Sequence, residues 1–351
     1  MKKINIAIIC GGPSNERDVS LKTGNQILKN LPSKYKSHLI EITKNGEWLL
    51  QGTNQPNQLK HKKYLVIPQF QNYQIINKKI LQSFDVVFIA MHGKFGEDGK
   101  IQTILELLNI PYTGSGPLAS ALGMNKLKTI ELIRSYGIKT PKFLALFQKP
   151  KKFELKNIIK NINEKLGWPV VIKPNESGSS IGITIVKNEK ELNQGLNKAF
   201  LEDNIVLIEE YISGKEITCG VLGNTGQTNL LALPPVLIIP PPGKFFDYEA
   251  KYFSSETQEI CPAPINLKLT KKVQELAKKI HFILGCDGLT RSDFILSKNE
   301  FYFLEINTIP GLTESSLCPK EAKAAGISFK KFLDKQIQLA LLKFKKNKSR
   351  S

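Results

Sequence analysis

Short hydrophobic runs alternate with helix-spaced apolar residues along the first third of the chain. Residues 4–10 form a run rich in β-branched side chains, and a glycine-rich turn follows it. Residues 21–31 then carry apolar side chains at helical spacing, and a second buried run covers 84–90. The order strand, glycine turn and helix is typical of an α/β domain with a parallel sheet. We place this first domain at residues 1–120.

The rest of the chain shows two further patterns. One long helical pattern covers 118–136, and the order strand, Gly/Ser loop, strand, helix and strand then predicts an α+β lobe at 121–215. We place a third unit at 216–345, followed by a basic tail at 346–351. The stretch 240–264 within the third unit is irregular but rich in aromatic residues. Loops of this length are typically functional lids or disordered segments, and the aromatic residues lead us to expect a lid.

The composition is that of a soluble globular protein, with 41% hydrophobic and 23% charged residues. The five cysteines form no CxxC pair and no cluster with histidine, which argues against a disulfide framework or a structural zinc site. No apolar run approaches the ~18 residues that a membrane helix needs, and no signal-peptide cleavage site follows the N-terminal apolar run. We expect a cytoplasmic protein with no membrane association.

The formal net charge of +19 raises the alternative of a non-enzymatic nucleic-acid binder. Only four of the 50 basic residues are Arg, and the lysines are spread along the whole chain. This distribution indicates a bias toward lysine more than a recognition surface, so we expect no nucleic-acid partner. The binder hypothesis predicts affinity that falls steeply with salt and no nucleotide turnover.

The most informative segment is a hairpin of two apolar strands that carries polar side chains on one face. Side chains alternate faces along a strand, and a register that pairs Asp293 with Glu305 also pairs Arg291 with Asn307, with the loop centred on Asn299. Opposed carboxylates repel unless a cation lies between them, and oxygen ligands without His or Cys favour Mg²⁺. The alternative is a solvated polar face on an edge hairpin, because a one-residue slip in register would destroy the pairing.

A glycine- and serine-rich loop, 175–182, follows a strand that ends in Lys173. Such loops present backbone N–H groups to phosphate oxygens, although this one is not a Walker A motif. Glu209 and Glu216 lie at the next strand ends, where carboxylates could hold ribose hydroxyls or an adenine amino group. His92 follows a strand, where α/β proteins place ligand loops. Taken singly, each feature has a plain alternative: a flexible turn, exposed strand-end charges or a turn residue.

In their order along the chain, these features resemble the D-alanine–D-alanine ligases of the ATP-grasp superfamily. The motifs that carry the resemblance are GGPSNERDVS at 11–20, HGKFGEDG at 92–99 with PYTGSG at 111–116, KPNESGSSIG at 173–182, FDYEAKY at 246–252, and RSD at 291–293 with LEINTIPGLTESS at 304–316. The resemblance implies an ATP-grasp fold with an N-terminal parallel α/β domain. It also implies the ATP-dependent joining of two D-alanines through an acyl phosphate, for peptidoglycan precursor synthesis.

The resemblance further implies a role for each matching residue. It implies catalytic roles for Glu16, Ser179, Tyr252, Arg291 and Ser316; ATP contacts for Lys126, Lys173, Ser180, Glu209 and Glu216; D-alanine contacts for Glu16, His92, Gly311, Ser316 and Leu317; and ligation of two Mg²⁺ ions, with Mn²⁺ as a substitute, by Asp293, Glu305 and Asn307.

Within that set, Glu16 would orient the amine of the first D-alanine, and Ser179 and Tyr252 would link to Glu16 when the site closes. Arg291 would stabilise the developing oxyanion, and Ser316 would hold the carboxylate of the second D-alanine. The resemblance also leads us to expect a homodimer.

The chain departs from the family at one position, since Asn125 stands where family members often carry Asp. The alternatives within the superfamily are a D-alanine–D-lactate ligase and another carboxylate–amine ligase. Tyr252 directly after Lys251 favours D-alanine as the acceptor, by resemblance to the dipeptide-forming enzymes.

Overall fold

The computed structural model describes residues 3–51, 64–66, 81–226, 229–240 and 257–348. These residues form three β-sheets and nine α-helices. Tyr252 and most of the stretch expected to be a lid lie outside the described residues. None of the helices found in those ranges is both long enough and apolar enough to cross a membrane.

The N-terminal sheet contains three parallel strands that extend to one of its edges. Its strands are β1 (Ile4–Gly11), β2 (Tyr35–Ile42), β3 (Glu47–Gln51), β4 (Tyr64–Val66) and β5 (Val86–Ile89). The order is β4-β3-β2-β1-β5, and β1 runs parallel to both β2 and β5. Strand β3 is antiparallel to its two neighbours, β2 and β4. Helix α1 (Arg17–Asn30) connects β1 to β2, and α2 (Lys100–Leu107) follows β5. The parallel α/β organisation predicted for this part of the chain is confirmed.

The central sheet is entirely antiparallel. Its strands are β6 (Phe143–Leu146), β7 (Val170–Pro174), β8 (Thr184–Val186) and β9 (Val206–Glu210), in the order β6-β9-β7-β8. The helices that precede or connect these strands are α3 (Pro117–Met124), α4 (Lys126–Ser135), α5 (Leu155–Lys165) and α6 (Glu189–Ala199). The Gly/Ser loop joins β7 to β8, as the sequence predicts.

The third sheet carries the polar hairpin. Its strands are β10 (Lys215–Asn224), β11 (Leu231–Ala232), β12 (Val236–Ile239), β13 (Gln258–Ile260), β14 (Asp287–Ser297) and β15 (Glu300–Asn307). The order is β13-β12-β10-β14-β15, with β11 paired to β10. The last three helices are α7 (Leu267–Ile283), α8 (Leu317–Ala324) and α9 (Phe329–Lys348).

The C-terminal helices share a hydrophobic core with the N-terminal sheet. Ile8 and Phe88 of that sheet lie in one buried cluster with Phe332 and Ile337 of α9 and with Leu289 of β14. The two ends of the chain therefore pack together. The boundaries at 120, 215 and 345 stay predictions, because a shared core does not separate the first unit from the third.

The predicted single helix at 118–136 is wrong, because the chain breaks at Asn125 into α3 and α4. Asn125 has extended backbone angles (φ −89°, ψ 96°) and caps α4 through its side chain. The backbone N–H of Lys126 donates to the carbonyl of Asn175, 3.2 Å away. A partner distant in sequence replaces the bond that would have continued the helix, and apolar spacing cannot reveal it.

The predicted register of the polar hairpin is confirmed. Asp293 lies opposite Glu305, and Arg291 lies opposite Asn307. The predicted loop centre is wrong by half a residue, because a bulge between Asp293 and Phe294 shifts the register. The turn is therefore Lys298–Asn299, and both residues adopt positive φ angles (49° and 64°), as two-residue hairpin turns of type I′ require.

Two predictions for residues 230–264 also need correction. The predicted strand at 230–239 is two strands, because Pro234 and Pro235 cannot donate to a ladder. The stretch 240–264 is not irregular throughout, since β13 pairs with β12. The stem of the expected lid is thus part of the third sheet.

Candidate active site

A cleft of about 980 Å³ lies between the central sheet and the third sheet. One wall comes from β7, β8 and β9, and the other comes from β10, β12, β14 and β15. Apolar side chains form much of both walls, and charged groups lie among them. The predicted site residues that line the cleft are Lys173, Ser180, Glu209, Glu216, Asp293 and Glu305.

Asp293 is buried at this cleft and is surrounded by hydrogen-bond donors. Its Oδ1 accepts from Thr218 Oγ1 at 2.6 Å and from Arg291 Nε at 2.8 Å. Its Oδ2 accepts from Arg291 Nη2 at 2.8 Å and from Asn307 Nδ2 at 3.2 Å. Burial alone would lower the pKa of Arg291, but the charge and hydrogen bonds of Asp293 raise it well above its usual range. Arg291 is therefore a permanent cation beside Asp293.

Lys126 connects the Gly/Ser loop to the polar hairpin. This buried side chain donates from Nζ to the carbonyl of Ser177 at 2.5 Å, and its Nζ lies 3.3 Å from Oε2 of Glu305. Lys126 and Glu305 also line a small pocket together with Gly178 and Asn307. The predicted phosphate loop and the predicted metal face are thus neighbours, and an ammonium group lies between them.

The oxygen donors of the hairpin fit Mg²⁺. Asp293, Glu305 and Asn307 lie on one face, and Asp293 and Glu305 are directly opposed. Within the described ranges, no group of three or more His, Cys, Asp or Glu side chains is arranged to hold a metal. Mg²⁺ does not need such a cage, since it is commonly bound by one or two carboxylates together with substrate phosphates and water. Ligation by these three residues stays a prediction.

Lys173 and Glu209 form a buried ion pair on the wall of the cleft that the central sheet provides. Their Nζ and Oε2 atoms are 2.7 Å apart, and the Oε1 atom of Glu209 is buried with no hydrogen-bond partner in the described residues. Burial raises the pKa of Glu209, and the charge of Lys173 opposes that change. A buried acceptor without a donor costs free energy, so Oε1 is a suitable acceptor for a ligand hydroxyl or amino group.

Glu16 lies where three loops meet. Ser179 of the Gly/Ser loop donates a hydrogen bond to Oε1 of Glu16. The backbone N–H of Glu16 donates to Ser14 Oγ at 2.9 Å. A Cβ atom added to Gly93 would lie 2.6 Å from Glu16 Oε2, and one added to Gly178 would overlap the same oxygen. The predicted contact between Glu16 and Ser179 is therefore present, and it depends on glycine in both flanking loops.

The Gly/Ser loop has a strained backbone at its centre. Ser179 and Ser180 both have positive φ angles (50° and 58°), which are uncommon outside glycine. Such conformations persist where the surrounding structure fixes them, and they cluster at ligand sites. The strain therefore supports the hypothesis that this loop binds a ligand.

His92 is buried beside Glu16. Its Nε2 lies 3.1 Å from Thr23 Oγ1, and its Nδ1 lies 3.6 Å from Oε1 of Glu97. Burial would lower the pKa of His92, but the hydrogen bond and charge of Glu97 and the charge of Glu16 raise it above its ordinary value. The environment thus favours a protonated imidazole between two carboxylates.

Gly311, Ser316 and Leu317 are not among the residues that line the cleft. They form the turn that leads into α8, where a Cβ atom on Gly311 would lie 2.8 Å from Ser316 Oγ. Glu321, later in α8, accepts a hydrogen bond from the Gly220 N–H at 3.0 Å, and Gly220 lies opposite Arg291 in the sheet. Helix α8 therefore places the Ser316 turn on the side of the sheet near Arg291.

The sequence analysis missed three residues at the site. Glu97 lies within a quoted motif and contacts His92, so a signal was available. Thr218 donates to Asp293, and Glu321 is fully buried with its pKa raised to about 7 by burial. Neither of the last two could be found from the sequence, because their positions depend on the pairing of β10 with β14.

We expect Gly178→Ala to lower the turnover of the reaction that the family resemblance implies by about tenfold or more, because the new methyl group displaces Glu16 from Ser179. Turnover is measured as phosphate release. Gly116→Ala is the matched control, since a Cβ atom there would lie at least 3.7 Å from its neighbours. Equal turnover in the two variants would contradict the proposed importance of the contact.

Comparison with known proteins agrees with this geometry. The family model of the D-ala D-ala ligase N-terminus matches residues 5–115, and that of the D-ala D-ala ligase C-terminus matches residues 132–338. The chain is 40% identical over 343 residues to a D-alanine–D-alanine ligase of Syntrophobacter fumaroxidans, covering 97% of this chain and 98% of the relative. It is also 40% identical over 342 residues to that of Carboxydothermus hydrogenoformans, covering 96% and 98%.

Solved structures of similar shape include the D-alanine–D-alanine ligase of Coxiella burnetii, with a TM-score of 0.83 and 28% identity over 99% of this chain and 97% of that one. A D-Ala:D-Ser ligase of Enterococcus faecalis gives a TM-score of 0.81 and 34% identity over 97% and 100%. The predicted ATP-grasp fold is confirmed by these similarities. By its sequence and its fold, the chain belongs to the D-alanine–D-alanine ligase family.

Proposed function

We propose that this protein joins two D-alanines in an ATP-dependent reaction that passes through an acyl phosphate. One observation carries the proposal beyond family membership: Lys126 lies between the carbonyl of Ser177 in the Gly/Ser loop and the carboxylate of Glu305 on the polar hairpin. A phosphate-binding loop, a cation and carboxylates suited to Mg²⁺ thus meet at one cleft, which is what phosphoryl transfer needs.

In the first step, a carboxylate oxygen of the first D-alanine attacks the γ-phosphorus of ATP. The bond between the γ-phosphorus and the β,γ-bridging oxygen breaks, ADP leaves, and an acyl phosphate forms. Lys126 and Lys173 neutralise charge on the phosphates, and the N–H groups of the Gly/Ser loop add fixed dipoles. When bound by Asp293, Glu305 and Asn307, Mg²⁺ supplies further neutralisation of phosphate charge.

In the second step, the amine of the second D-alanine attacks the acyl carbonyl carbon, loses a proton, and phosphate leaves. The tetrahedral intermediate carries an oxyanion, which Arg291 stabilises. The fork from Arg291 to Asp293 uses Nε and Nη2, so the Nη1 donors lie outside that fork. Ser316, at the start of α8, holds the carboxylate of the second D-alanine, where helix N–H groups favour an anion.

Glu16 orients the ammonium group of the first D-alanine, supported by its contact with Ser179. His92 lies near Glu16 and pairs with Glu97, their Nδ1 and Oε1 atoms being 3.6 Å apart. The contribution of Tyr252 rests on the family resemblance alone, because Tyr252 lies outside the described residues. We further propose that the protein acts as a homodimer in the cytoplasm and supplies peptidoglycan synthesis, as its family resemblance implies.

The direct test is phosphate release by the purified protein with ATP, Mg²⁺ and D-alanine, with L-alanine as the control. We expect turnover with D-alanine only, and loss of turnover when EDTA removes the metal. Arms with D-serine and D-lactate as second substrates identify the acceptor. Better turnover with either one would replace D-alanine as the acceptor, and ATP binding without any ligation would overturn the proposed reaction.

A further inference from the structure

Asn125 makes two side-chain hydrogen bonds of opposite kind at the break between α3 and α4. Its Oδ1 accepts from the backbone N–H of Lys128 at 3.0 Å, which caps α4. Its Nδ2 donates to Oε1 of Glu176 at 2.8 Å. An amide offers both a donor and an acceptor, whereas an ionised carboxylate offers acceptors only. Asparagine therefore satisfies both partners, and aspartate would satisfy only the cap.

A second asparagine joins the same two segments from the other side. Asn175, at the start of the Gly/Ser loop, is buried and accepts from the Leu127 N–H through Oδ1 at 2.8 Å. Its carbonyl accepts from the Lys126 N–H at 3.2 Å, and its own N–H donates to Ile205 at 3.0 Å. Together with the bond from Lys126 Nζ to the Ser177 carbonyl, four hydrogen bonds thus hold the start of α4 against the start of the loop.

We propose that Asn125 is a positioning residue for ATP, which acts by holding Glu176 and so fixes the Gly/Ser loop relative to Lys126. The inference rests on the proposed function, because it assumes that this loop and Lys126 bind the phosphates. The geometry is direct: Glu176 immediately precedes Ser177, whose carbonyl accepts from Lys126 Nζ at 2.5 Å. A shift of Glu176 therefore moves a contact of the lysine itself.

Glu176 also explains why this chain carries Asn at position 125. The backbone N–H of Glu176 donates to Oδ2 of Asp203 at 2.6 Å, so the position of Glu176 is set from a second side. Its carboxylate then faces residue 125 at hydrogen-bonding distance. An aspartate there would place two carboxylates against each other, and like charges at such distance repel.

The test is Asn125→Asp, which keeps the helix cap but removes the donor and adds a charge opposite Glu176. We expect the KM for ATP to rise about fivefold, with little change in kcat or in melting temperature. The double variant Asn125→Asp/Glu176→Gln restores a donor between the two side chains, and its KM should return to within about twofold of the wild type. The rise should also shrink at high salt, since repulsion between exposed charges is screened.

Asn188→Asp is the matched control. Asn188 caps α6 by accepting from the Lys190 N–H at 3.1 Å and donates to Oε1 of Glu191 at 2.9 Å, so the substitution makes the same chemical change. Asn188 does not line the cleft, so the Asn188→Asp variant should have the same KM for ATP as the wild type. Glu176→Ala, at an exposed position where folding is not at risk, should raise the KM in the same direction as Asn125→Asp.

Binding of Mg²⁺-ATP to the wild type without D-alanine separates the two hypotheses. A wild type that binds no ATP contradicts the proposed function. If the wild type binds and uses ATP, two results would contradict the positioning role of Asn125. One is an unchanged KM for ATP in Asn125→Asp, and the other is a raised KM that stays raised in the double variant Asn125→Asp/Glu176→Gln. The positioning role is also contradicted if Asn188→Asp raises the KM for ATP as much as Asn125→Asp does. The rise would then follow from changing any helix-capping asparagine.

Discussion

Replacing Glu305 with Gln lowers the turnover of ligation by about 100-fold or more while the fold survives. Glutamine keeps the shape of the side chain and removes its charge. Glu305 lies opposite Asp293 and pairs with Lys126 at 3.3 Å, so the change weakens both the proposed metal face and the position of a phosphate-binding lysine. Losses of about 10²- to 10³-fold are typical when one preorganised electrostatic group is removed.

The measurement is phosphate release with D-alanine over a range of Mg²⁺ concentrations. Raised Mg²⁺ should recover part of the lost turnover, because a weakened site fills by mass action. Glu300→Gln is the matched control, since Glu300 begins the same strand but pairs on the surface with Lys272 at 2.9 Å and Lys139 at 3.6 Å. Near-normal turnover of Glu305→Gln at ordinary Mg²⁺ would remove Glu305 from the metal site.

The pairing of the polar hairpin could be predicted because the residues that determine it are close together in the sequence. Two-residue alternation and one opposed pair of carboxylates fix the register, and the structure has the same pairs. The bulge after Asp293 could not be predicted, since the residues it moves are mainly apolar and fit either register. Its effect is confined to the part of the hairpin between the bulge and the turn, which is why the pairing of Asp293 with Glu305 on the other side was predicted correctly.

The break at Asn125 shows the opposite case. Apolar spacing continues through α3 and α4, and Leu127 and Ile130 are buried just as one continuous helix would predict. The break is stabilised by Asn175, 50 residues further along the chain, and local sequence does not show that contact. The same reason hid Thr218, whose role depends on which strand lies beside β14.

The net charge of the chain did not indicate its function, whereas the positions of individual basic residues did. Some lysines of the described residues pair with acidic residues close in sequence, as Lys128 does with Glu131 and Lys278 with Glu275. Such pairs are exposed and contribute little to stability. The three basic residues of the proposed site, Lys126, Lys173 and Arg291, are instead buried or partly buried and paired at defined positions, which net charge cannot show.

Replacing Arg291 with Ala lowers turnover by about 10³-fold, and replacing it with Lys recovers less than about tenfold of that loss. The reason lies in the bonding of Asp293. Arg291 covers both carboxylate oxygens with two parallel bonds of 2.8 Å, and its remaining donors lie outside that fork. A lysine ammonium is one compact point charge, and it cannot hold Asp293 in this way and serve an oxyanion as well.

Separate measurement of kcat and of the KM for ATP tests the proposed role of Arg291. Its loss should lower kcat while the KM for ATP changes little, because the oxyanion develops after phosphoryl transfer. Arg134→Lys is the matched control, since Arg134 also bonds through Nε and Nη2, to Thr140 and Pro141, and its ring contact with Phe143 is structural. That variant should lower the melting temperature and leave kcat near the wild-type value. Full recovery of kcat by Arg291→Lys would show that a point charge suffices, and the planar fork would then have no part in catalysis.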